Sequence, residues 1–253
     1  MTWLLQITDC HLVAPGERLL GVDTQASLEV VLEQALELRS PDAILASGDL
    51  AHQPEAEIYQ RFLATLSSVS MAPLLCLAGN HDVAQAMQQA QLPMEPLHLG
   101  TWSIVPLDSH VDEVPEAAVA MSDEDWTRNC LLAEESRPNV LLTSHHPWVA
   151  VGAPWLDKDR IAEPEAILGR LQQTHAGIRA VAFGHAHQQI DAKCAGIPVH
   201  GAPSTCFQFA PASERFSIDA AAPGYRWWHL HDDGTYTTEV ARVDEFEMHI
   251  QLA

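Results

Sequence analysis

The sequence predicts an α/β fold, because apolar runs of strand length alternate with longer stretches of helical periodicity. These runs and stretches alternate in the order 3–9, 27–40, 43–49, 56–69 and 72–82. The runs are apolar throughout, which is typical of strands that are buried on both faces of a sheet. Each run also ends in a short cluster of polar residues, and those clusters point to function.

The two helices are predicted from the spacing of their apolar residues. In residues 27–40 these residues recur at helical spacing with glutamates between them. Pro41 ends this helix, because the residue before a proline is disfavoured in the helical conformation. The same spacing predicts a second helix over residues 56–69.

The later part of the chain predicts more strands and fewer helices. Residues 139–147 and 179–187 are further apolar runs with polar ends. Residues 197–209 and 226–243 favour antiparallel strands, and Asp233-Gly234 separates two alternating runs as a hairpin turn does. Since no linker rich in Pro, Gly or Ser divides the chain, we expect one domain over residues 1–253.

Composition excludes several classes of partner. The formal net charge of −21 opposes binding to nucleic-acid backbones, which requires Lys and Arg to neutralise phosphates. No apolar stretch approaches the roughly 20 residues that a membrane helix needs, and the first residues lack the basic start of a signal peptide. The five scattered cysteines form no CxxC pair, which favours a reduced chain. We therefore expect a cytoplasmic protein that binds neither nucleic-acid backbones nor membranes.

Five predicted strands end in polar clusters that we expect to converge. In open α/β sheets, ligands bind outside the carboxyl ends of the strands. Residues two apart on an extended strand end point the same way, so Asp9 with His11, and His185 with His187, can share a face. The clusters contain Asp9 and His11; Asp49; Asn80, His81 and Asp82; His145 and His146; and His185 and His187.

Seven of these side chains are suitable metal ligands. They are Asp9, Asp49, Asn80, His11, His145, His185 and His187. Seven donors are too many for one tetrahedral zinc ion but suit two ions that share a carboxylate. Oxygen and nitrogen donors without thiolate favour Mn, Fe or Zn over Ca or Cu(I). Two ions about 3.5–4 Å apart can clamp the attacking and leaving oxygens of a phosphoryl transfer.

The ordered set D-x-H, G-D, G-N-H-D, H and G-H-x-H resembles the calcineurin-like metallophosphoesterases, over the strand ends from residue 9 to residue 187. Residues 145–157 and 201–209 are similar to segments of bacterial class III 3′,5′-cyclic-AMP phosphodiesterases. The resemblance implies a four-layer αββα sandwich of two mixed β-sheets flanked by helices. It also implies a metal-dependent phosphoric diester hydrolase that converts 3′,5′-cyclic AMP to 5′-AMP.

The resemblance implies a ligand set for two divalent or trivalent ions. Asp9, His11 and His187 would hold the first ion. Asn80, His145 and His185 would hold the second ion, and Asp49 would bridge the two. The ions would be Mn or Fe, with Zn as an alternative, and a hydroxide between them would attack phosphorus.

The resemblance also implies roles in catalysis and in substrate binding. His81 would bind the phosphate and protonate the leaving oxygen, Asp82 would orient His81, and Asn80 would touch the substrate. His146 is predicted to contact substrate, with a structural hydrogen bond as the alternative. Trp155 is predicted to stack on a purine, with a core or lid position as the alternative.

Two other functions remain open at this point. The first is a phosphodiesterase of different or broader specificity, acting on 2′,3′-cyclic nucleotides, linear diesters or nucleotide diphosphates. The second is a metal-binding interaction module without activity, which the intact His81-Asp82 pair disfavours. In the enzymatic case the partner is a small-molecule nucleotide, and the protein is a monomer or a homodimer.

Overall fold

The structure is a computed structural model that describes residues 2–112, 114–134, 136–244 and 246–251. The remaining positions of the predicted 1–253 domain lie outside the described residues. The elements, in chain order, are β1 (Thr2–Ile7), α1 (Thr24–Leu38), β2 (Ala43–Ala46), α2 (Ala56–Val69), β3 (Leu74–Cys76), α3 (Ala84–Gln89), β4 (Leu97–Leu99), β5 (Trp102–Pro106), α4 (Met121–Ala133), β6 (Asn139–Thr143), α5 (Pro154–Asp157), α6 (Pro164–Thr174), β7 (Ile178–Phe183), β8 (Ile190–Cys194), β9 (Ile197–Gly201), β10 (Gln208–Phe209), β11 (Ile218–Asp219), β12 (Gly224–Leu230) and β13 (Tyr236–Arg242).

Two mixed β-sheets form the centre of the fold. The first sheet has the strand order β13-β12-β1-β2-β3, in which β1, β2 and β3 are parallel and β12 and β13 are antiparallel additions. The second sheet has the order β4-β5-β6-β7-β9-β8, with β5, β6, β7 and β9 parallel and antiparallel strands at both edges. Strands β10 and β11 pair separately.

The two sheets pack face to face and helices cover their outer faces. Leu4 of β1 lies in the apolar layer between the sheets with Leu141 of β6. Leu5, on the opposite face of β1, packs instead with α1 and α2. Helices α4 and α6 pack on the outer face of the second sheet. Both faces of β1 are therefore buried, as its continuous apolar run predicts, and the predicted αββα sandwich is confirmed.

Several predicted elements hold, with shifts at their ends. Helix α1 begins three residues before the predicted start, because the Asp23 side chain caps it by accepting from the Ala26 backbone N–H at 3.0 Å. The hairpin at Asp233-Gly234 joins β12 to β13 as predicted, and Gly234 adopts a φ of 85° there.

The second sheet differs from the prediction in two respects. Strand β9 pairs antiparallel with β8, as expected for residues 197–209, but parallel with β7 on its other side. Strand β5 has no clear apolar run because Ser103 lies within it, although every residue of the strand is buried. The Ser103 hydroxyl is satisfied by the Glu134 carboxylate at 2.6 Å, a partner that local sequence does not reveal.

Buried polar side chains connect the two sheets. Arg226 of β12 is 1% exposed and donates to the carbonyl oxygens of Gly201 at 3.0 Å and Ile190 at 3.3 Å in the second sheet. Gln6 of β1 donates to the Phe183 carbonyl oxygen of β7 at 3.1 Å. Such bonds fix how the sheets sit on each other, because each buried polar group requires its own partner.

None of the helices in the described part of the chain is long and apolar enough to cross a membrane.

We expect Arg226→Met to lower the free energy of unfolding by about 2–4 kcal/mol, because the carbonyl oxygens of Gly201 and Ile190 would lose their buried donor. Urea denaturation measures the change. The matched control is Arg128→Met, which removes an exposed ion pair with Asp125 and should change stability by less than about 0.5 kcal/mol. A loss below 1 kcal/mol for Arg226→Met would show that the inter-sheet bonds contribute little.

Candidate metal centre

The loops that follow β1, β2, β3, β6 and β7 bring the seven predicted ligands together at one edge of the two sheets. Six of the seven side chains are buried, and Asn80 is half-buried. The first loop is tied to the last by a hydrogen bond from the His185 backbone N–H to the Asp9 carboxylate. The two carboxylate oxygens of Asp9 lie 3.1 and 3.2 Å from that nitrogen. The polar residues at these strand ends therefore lie close together, as the sequence predicts.

Asp49 lies at the centre of the cluster, and its two carboxylate oxygens face different groups. Oδ2 is 3.6 Å from Nε2 of His11, whereas Oδ1 is 3.5 Å from Nε2 of His145. The backbone N–H of His81 also donates to Oδ1, at 2.8 Å. Burial acts to raise the pKa of Asp49, but His145 by its charge and hydrogen bond, and His11, hold that pKa well below its usual value.

The first group of donors consists of Asp9, His11 and His187. Nε2 of His187 lies 3.3 Å from Oδ1 of Asp9 and 3.1 Å from Nε2 of His11. His187 donates its Nδ1 hydrogen to the Phe207 carbonyl oxygen at 2.7 Å, which leaves Nε2 with a free lone pair. Two donors bound to one zinc-like ion at about 2.0–2.1 Å lie roughly 3 Å apart, so this spacing fits a shared cation.

The second group consists of Asn80, His145 and His185. The side-chain oxygen of Asn80 lies 3.2 Å from Nε2 of His145 and 2.9 Å from Nδ1 of His185. His145 donates its Nδ1 hydrogen to the Ser47 carbonyl oxygen at 2.9 Å, which directs Nε2 towards Asp49 and Asn80. The second group therefore presents one amide oxygen and two ring nitrogens to a common point.

Five of the predicted ligands have left-handed backbone conformations, which are uncommon for residues other than glycine. The φ values lie between 46° and 62° for Asp9, His11, Asp49, His185 and His187. The prediction placed Asp9 with His11, and His185 with His187, on extended strand ends. The strands in fact end before these residues, and the side chains converge because of the left-handed backbone instead. Strain of this kind persists where surrounding contacts enforce it, and it concentrates at functional sites.

Two glycines allow the loops to approach each other. A Cβ atom at Gly184 would meet the Thr8 hydroxyl, and one at Gly79 would meet the backbone and carboxylate of Asp49. The glycines of the G-N-H-D and G-H-x-H sequences are therefore required by close approach.

The electrostatics of the cluster favour a bound cation. Among the described residues, neither Asp9 nor Asp49 pairs with a lysine or an arginine, and both carboxylates face imidazoles instead. Burial acts to lower the pKa of His145, but the charge and hydrogen bond of Asp49 raise it to about 9. Burial holds the pKa of His11 well below its usual value, so this ring stays in the neutral form that binds metals. The donor set therefore fits metal ions.

Asp82 does not have the predicted contact with His81. Its carboxylate accepts from the backbone N–H groups of Leu50 and Ala51, at 3.1–3.2 Å, from Gly79 N–H at 2.8 Å and from the Tyr59 hydroxyl at 2.9 Å. No bond joins it to the His81 imidazole within the described chain. The prediction that Asp82 orients His81 is corrected: Asp82 instead ties the loop of Asp49 to the loop of Asn80.

His146 is also placed differently from the prediction of substrate contact. Its ring is fully buried, with Nδ1 3.0 Å from the Ser109 hydroxyl and Nε2 3.2 Å from the Pro115 carbonyl oxygen. Both ring nitrogens are thus engaged by the protein. The structure therefore agrees with the alternative prediction, in which His146 makes structural hydrogen bonds.

Trp155 lies in an aromatic cluster that reaches the first donor group. Its indole N–H donates to the Ser213 hydroxyl at 3.1 Å, and its ring packs edge-on against Phe209 and Phe216. Phe209 in turn stacks on the His187 imidazole, with ring centroids 4.0 Å apart. The cluster therefore forms a continuous aromatic wall beside the candidate metal centre.

Sequence reasoning missed two residues near the cluster. The carboxylate of Asp159 is buried and lies 3.7 Å from Nε2 of His185, the ring nitrogen that faces away from Asn80. The His52 ring centroid lies 4.9 Å from that of His81 and 5.8 Å from that of His11. His52 follows Asp49 by three residues, which could have marked it, whereas nothing local to Asp159 indicates its position.

An αββα sandwich with histidine, aspartate and asparagine donors gathered at the strand ends is the arrangement of a metal-dependent hydrolase. The model of the calcineurin-like phosphoesterase family matches residues 2–189, and the chain belongs to this family. The prediction of a metal-dependent phosphoric diester hydrolase is confirmed.

Curated relatives match over nearly the whole chain. The 3′,5′-cyclic adenosine monophosphate phosphodiesterase CpdA of Pseudomonas aeruginosa is 38% identical over 248 residues, covering 96% of this chain and 90% of the relative. The Escherichia coli K12 enzyme of the same name is 37% identical, covering 95% and 89%. A 3′,5′-cyclic-nucleotide phosphodiesterase of Nostoc is 32% identical, covering 95% and 92%.

Solved structures share the fold at low sequence identity. A purple acid phosphatase from yellow lupin seeds superposes with a TM-score of 0.69 at 13% identity, covering 98% of this chain. This chain spans about half the length of that phosphatase, 52%. A dimetal phosphatase from Danio rerio gives a TM-score of 0.60 at 13% identity, covering 96% of this chain and 99% of that one. At these identities the similarity concerns the fold alone.

We expect Asp82→Asn to lower the free energy of unfolding by about 2–4 kcal/mol, because an amide has one acceptor oxygen for the donors that the carboxylate satisfies. Thermal and urea unfolding measure the loss. His81→Ala is the matched control and should unfold like the wild type, since its ring bonds no residue in the described ranges. If Asp82→Asn kept full stability, the anchoring role of Asp82 would be wrong.

Proposed function

We propose that the protein hydrolyses 3′,5′-cyclic AMP to 5′-AMP at a dinuclear metal centre. The observation that carries this proposal is the position of Asp49, whose two oxygens face His11 on one side and His145 on the other. One carboxylate between two donor groups suits two ions better than one. The relatives named for cyclic-AMP hydrolysis support the substrate.

The first ion would be held by Asp9, His11 and His187, the second by Asn80, His145 and His185, and Asp49 would contact both. Oxygen and nitrogen donors without thiolate favour Mn or Fe, with Zn as an alternative. When bound, the two ions would supply a hydroxide of lowered pKa between them and neutralise charge on the phosphate.

His81 is proposed to act on the leaving group. Its side chain is exposed, and its imidazole bonds no residue within the described chain. Its ring centroid lies 4.9 Å from that of His11, so it sits at the rim of the first donor group. A ring so placed can donate a hydrogen bond to the phosphate and then a proton to the departing 3′-oxygen.

Asn80 and the aromatic wall are proposed to position the substrate. The amide oxygen of Asn80 faces His145 and His185, which leaves its NH₂ group to donate to a phosphate oxygen. Trp155 and Phe216 offer faces for the adenine, with Phe209 packed behind them, since each aromatic side chain that stacks on a base contributes about 1–3 kcal/mol. Phe216 is 47% exposed and is the more accessible of the two.

The net charge of the chain supports a small substrate. At −21 the protein repels long phosphate backbones, whereas bound cations would attract a single phosphodiester locally. A cyclic nucleotide carries one such charge and one base, which matches one metal centre beside one aromatic wall.

A panel of diesters tests the substrate. We expect manganese-loaded protein to turn over 3′,5′-cyclic AMP with a kcat/KM at least about 10-fold above that for 2′,3′-cyclic AMP, a linear aryl diester and a nucleotide diphosphate. Mass spectrometry of the metals on the same sample should count two ions per chain. Faster turnover of the linear diester would contradict cyclic AMP as the preferred substrate and would favour a phosphodiesterase of broader specificity. A count of one ion per chain would refute the dinuclear centre.

Two alanine variants separate the proposed roles of neighbouring residues. We expect Asn80→Ala to lose about one metal equivalent, because it removes a donor from the second group. His81→Ala should retain both equivalents and lose about 10²–10⁴-fold in kcat, the contribution of a general acid. Equal metal loss in the two variants would contradict the role assigned to His81.

A further inference from the structure

A third group of imidazoles lies beside the seven-donor cluster. His11, His52 and His81 each offer one ring nitrogen, and these nitrogens lie within 4.8 Å of one another. Nε2 of His11 already faces Asp49 and His187, so His52 and His81 are the two members outside the proposed ligand set. These two are called the His52–His81 pair below.

Among the described residues, no protein group competes for the ring nitrogens of the His52–His81 pair. Nδ1 of His52 is buried and accepts or donates no hydrogen bond within the described chain. The His81 imidazole likewise bonds no described residue, although its own backbone N–H is held by Asp49 at 2.8 Å. A buried ring nitrogen without a partner is costly, and a ligand at that point would relieve the cost.

The pair is within reach of solvent, and its rings can share an ion. Their ring centroids are 4.9 Å apart with an interplanar angle of 33°. His81 is exposed and His52 is half-buried, so an ion can enter from the rim without crossing the protein.

We propose that the His52–His81 pair binds a third metal ion, Zn²⁺, at the rim of the active site, and that this ion inhibits the enzyme. Imidazole donors without a carboxylate favour Zn²⁺ over Mn²⁺ or Mg²⁺, so manganese in the main centre leaves the pair free. The other ligands of the ion would be solvent, because two imidazoles leave positions open.

Inhibition follows from the role of His81. A zinc ion takes the ring lone pair and fixes the imidazole, so that His81 can no longer turn to the leaving oxygen. This consequence rests on the proposed function, whereas the binding of the ion does not.

Zinc binding and turnover are measured separately on manganese-loaded protein. Equilibrium dialysis against buffered zinc, followed by metal analysis, should show one zinc bound per chain with both manganese equivalents retained. The same zinc concentrations should inhibit hydrolysis of cyclic AMP. His52→Gln should weaken zinc binding by about 10-fold or more, shift inhibition by the same factor and leave the rate without zinc within about threefold of wild type.

Two further variants keep the test decisive. His81→Ala should also lose the zinc equivalent, which covers the case that His52→Gln fails to fold. His98→Gln, an exposed histidine of β4, is the matched control and should bind zinc as the wild type does. Zinc that binds His52→Gln and His81→Ala as tightly as wild type, or that only replaces manganese ion for ion, would overturn the proposal. A preparation without cyclic-AMP hydrolysis would count against the proposed function alone, because dialysis still measures the zinc site.

Discussion

The arrangement of the candidate site depends on the contacts that the buried Asp49 carboxylate makes with His11 and His145. The carboxylate lies between two groups of donors and contacts an imidazole of each, with no described lysine or arginine paired to it. A buried carboxylate in such surroundings requires positive charge, which either protonated imidazoles or metal ions can supply. Burial acts to lower the pKa of His145, but the charge and hydrogen bond of Asp49 raise it to about 9.

The fold holds these donors in place through contacts below the site. Two sheets packed face to face align the ends of five strands, and Asp82 fastens the loop of Asp49 to the loop of Asn80. Left-handed backbone at Asp9 and His185 turns their side chains inward at a cost in local strain. The candidate donors are therefore held in place by hydrogen bonds and backbone geometry of the scaffold itself.

The apolar runs predicted an α/β fold, and the polar residues at their ends predicted that the seven donors converge. The αββα sandwich followed from the resemblance that those ordered polar residues carry. The sequence did not predict what the buried polar groups bond to, since those partners lie far away in the chain. Asp82 reaches Tyr59, and His146 reaches Ser109 and Pro115. Strand β5 was missed for the same reason, because its buried Ser103 is satisfied by Glu134, a residue of another element.

The proposed chemistry requires that Asp49 bridge two metal ions. A crystal structure of manganese-soaked protein, with anomalous diffraction recorded at the manganese edge, measures this directly. We expect two anomalous peaks about 3.5–4 Å apart, one on each side of the Asp49 carboxylate. A single peak in contact with both donor groups, or two peaks of which one does not contact Asp49, would contradict the bridging role of Asp49.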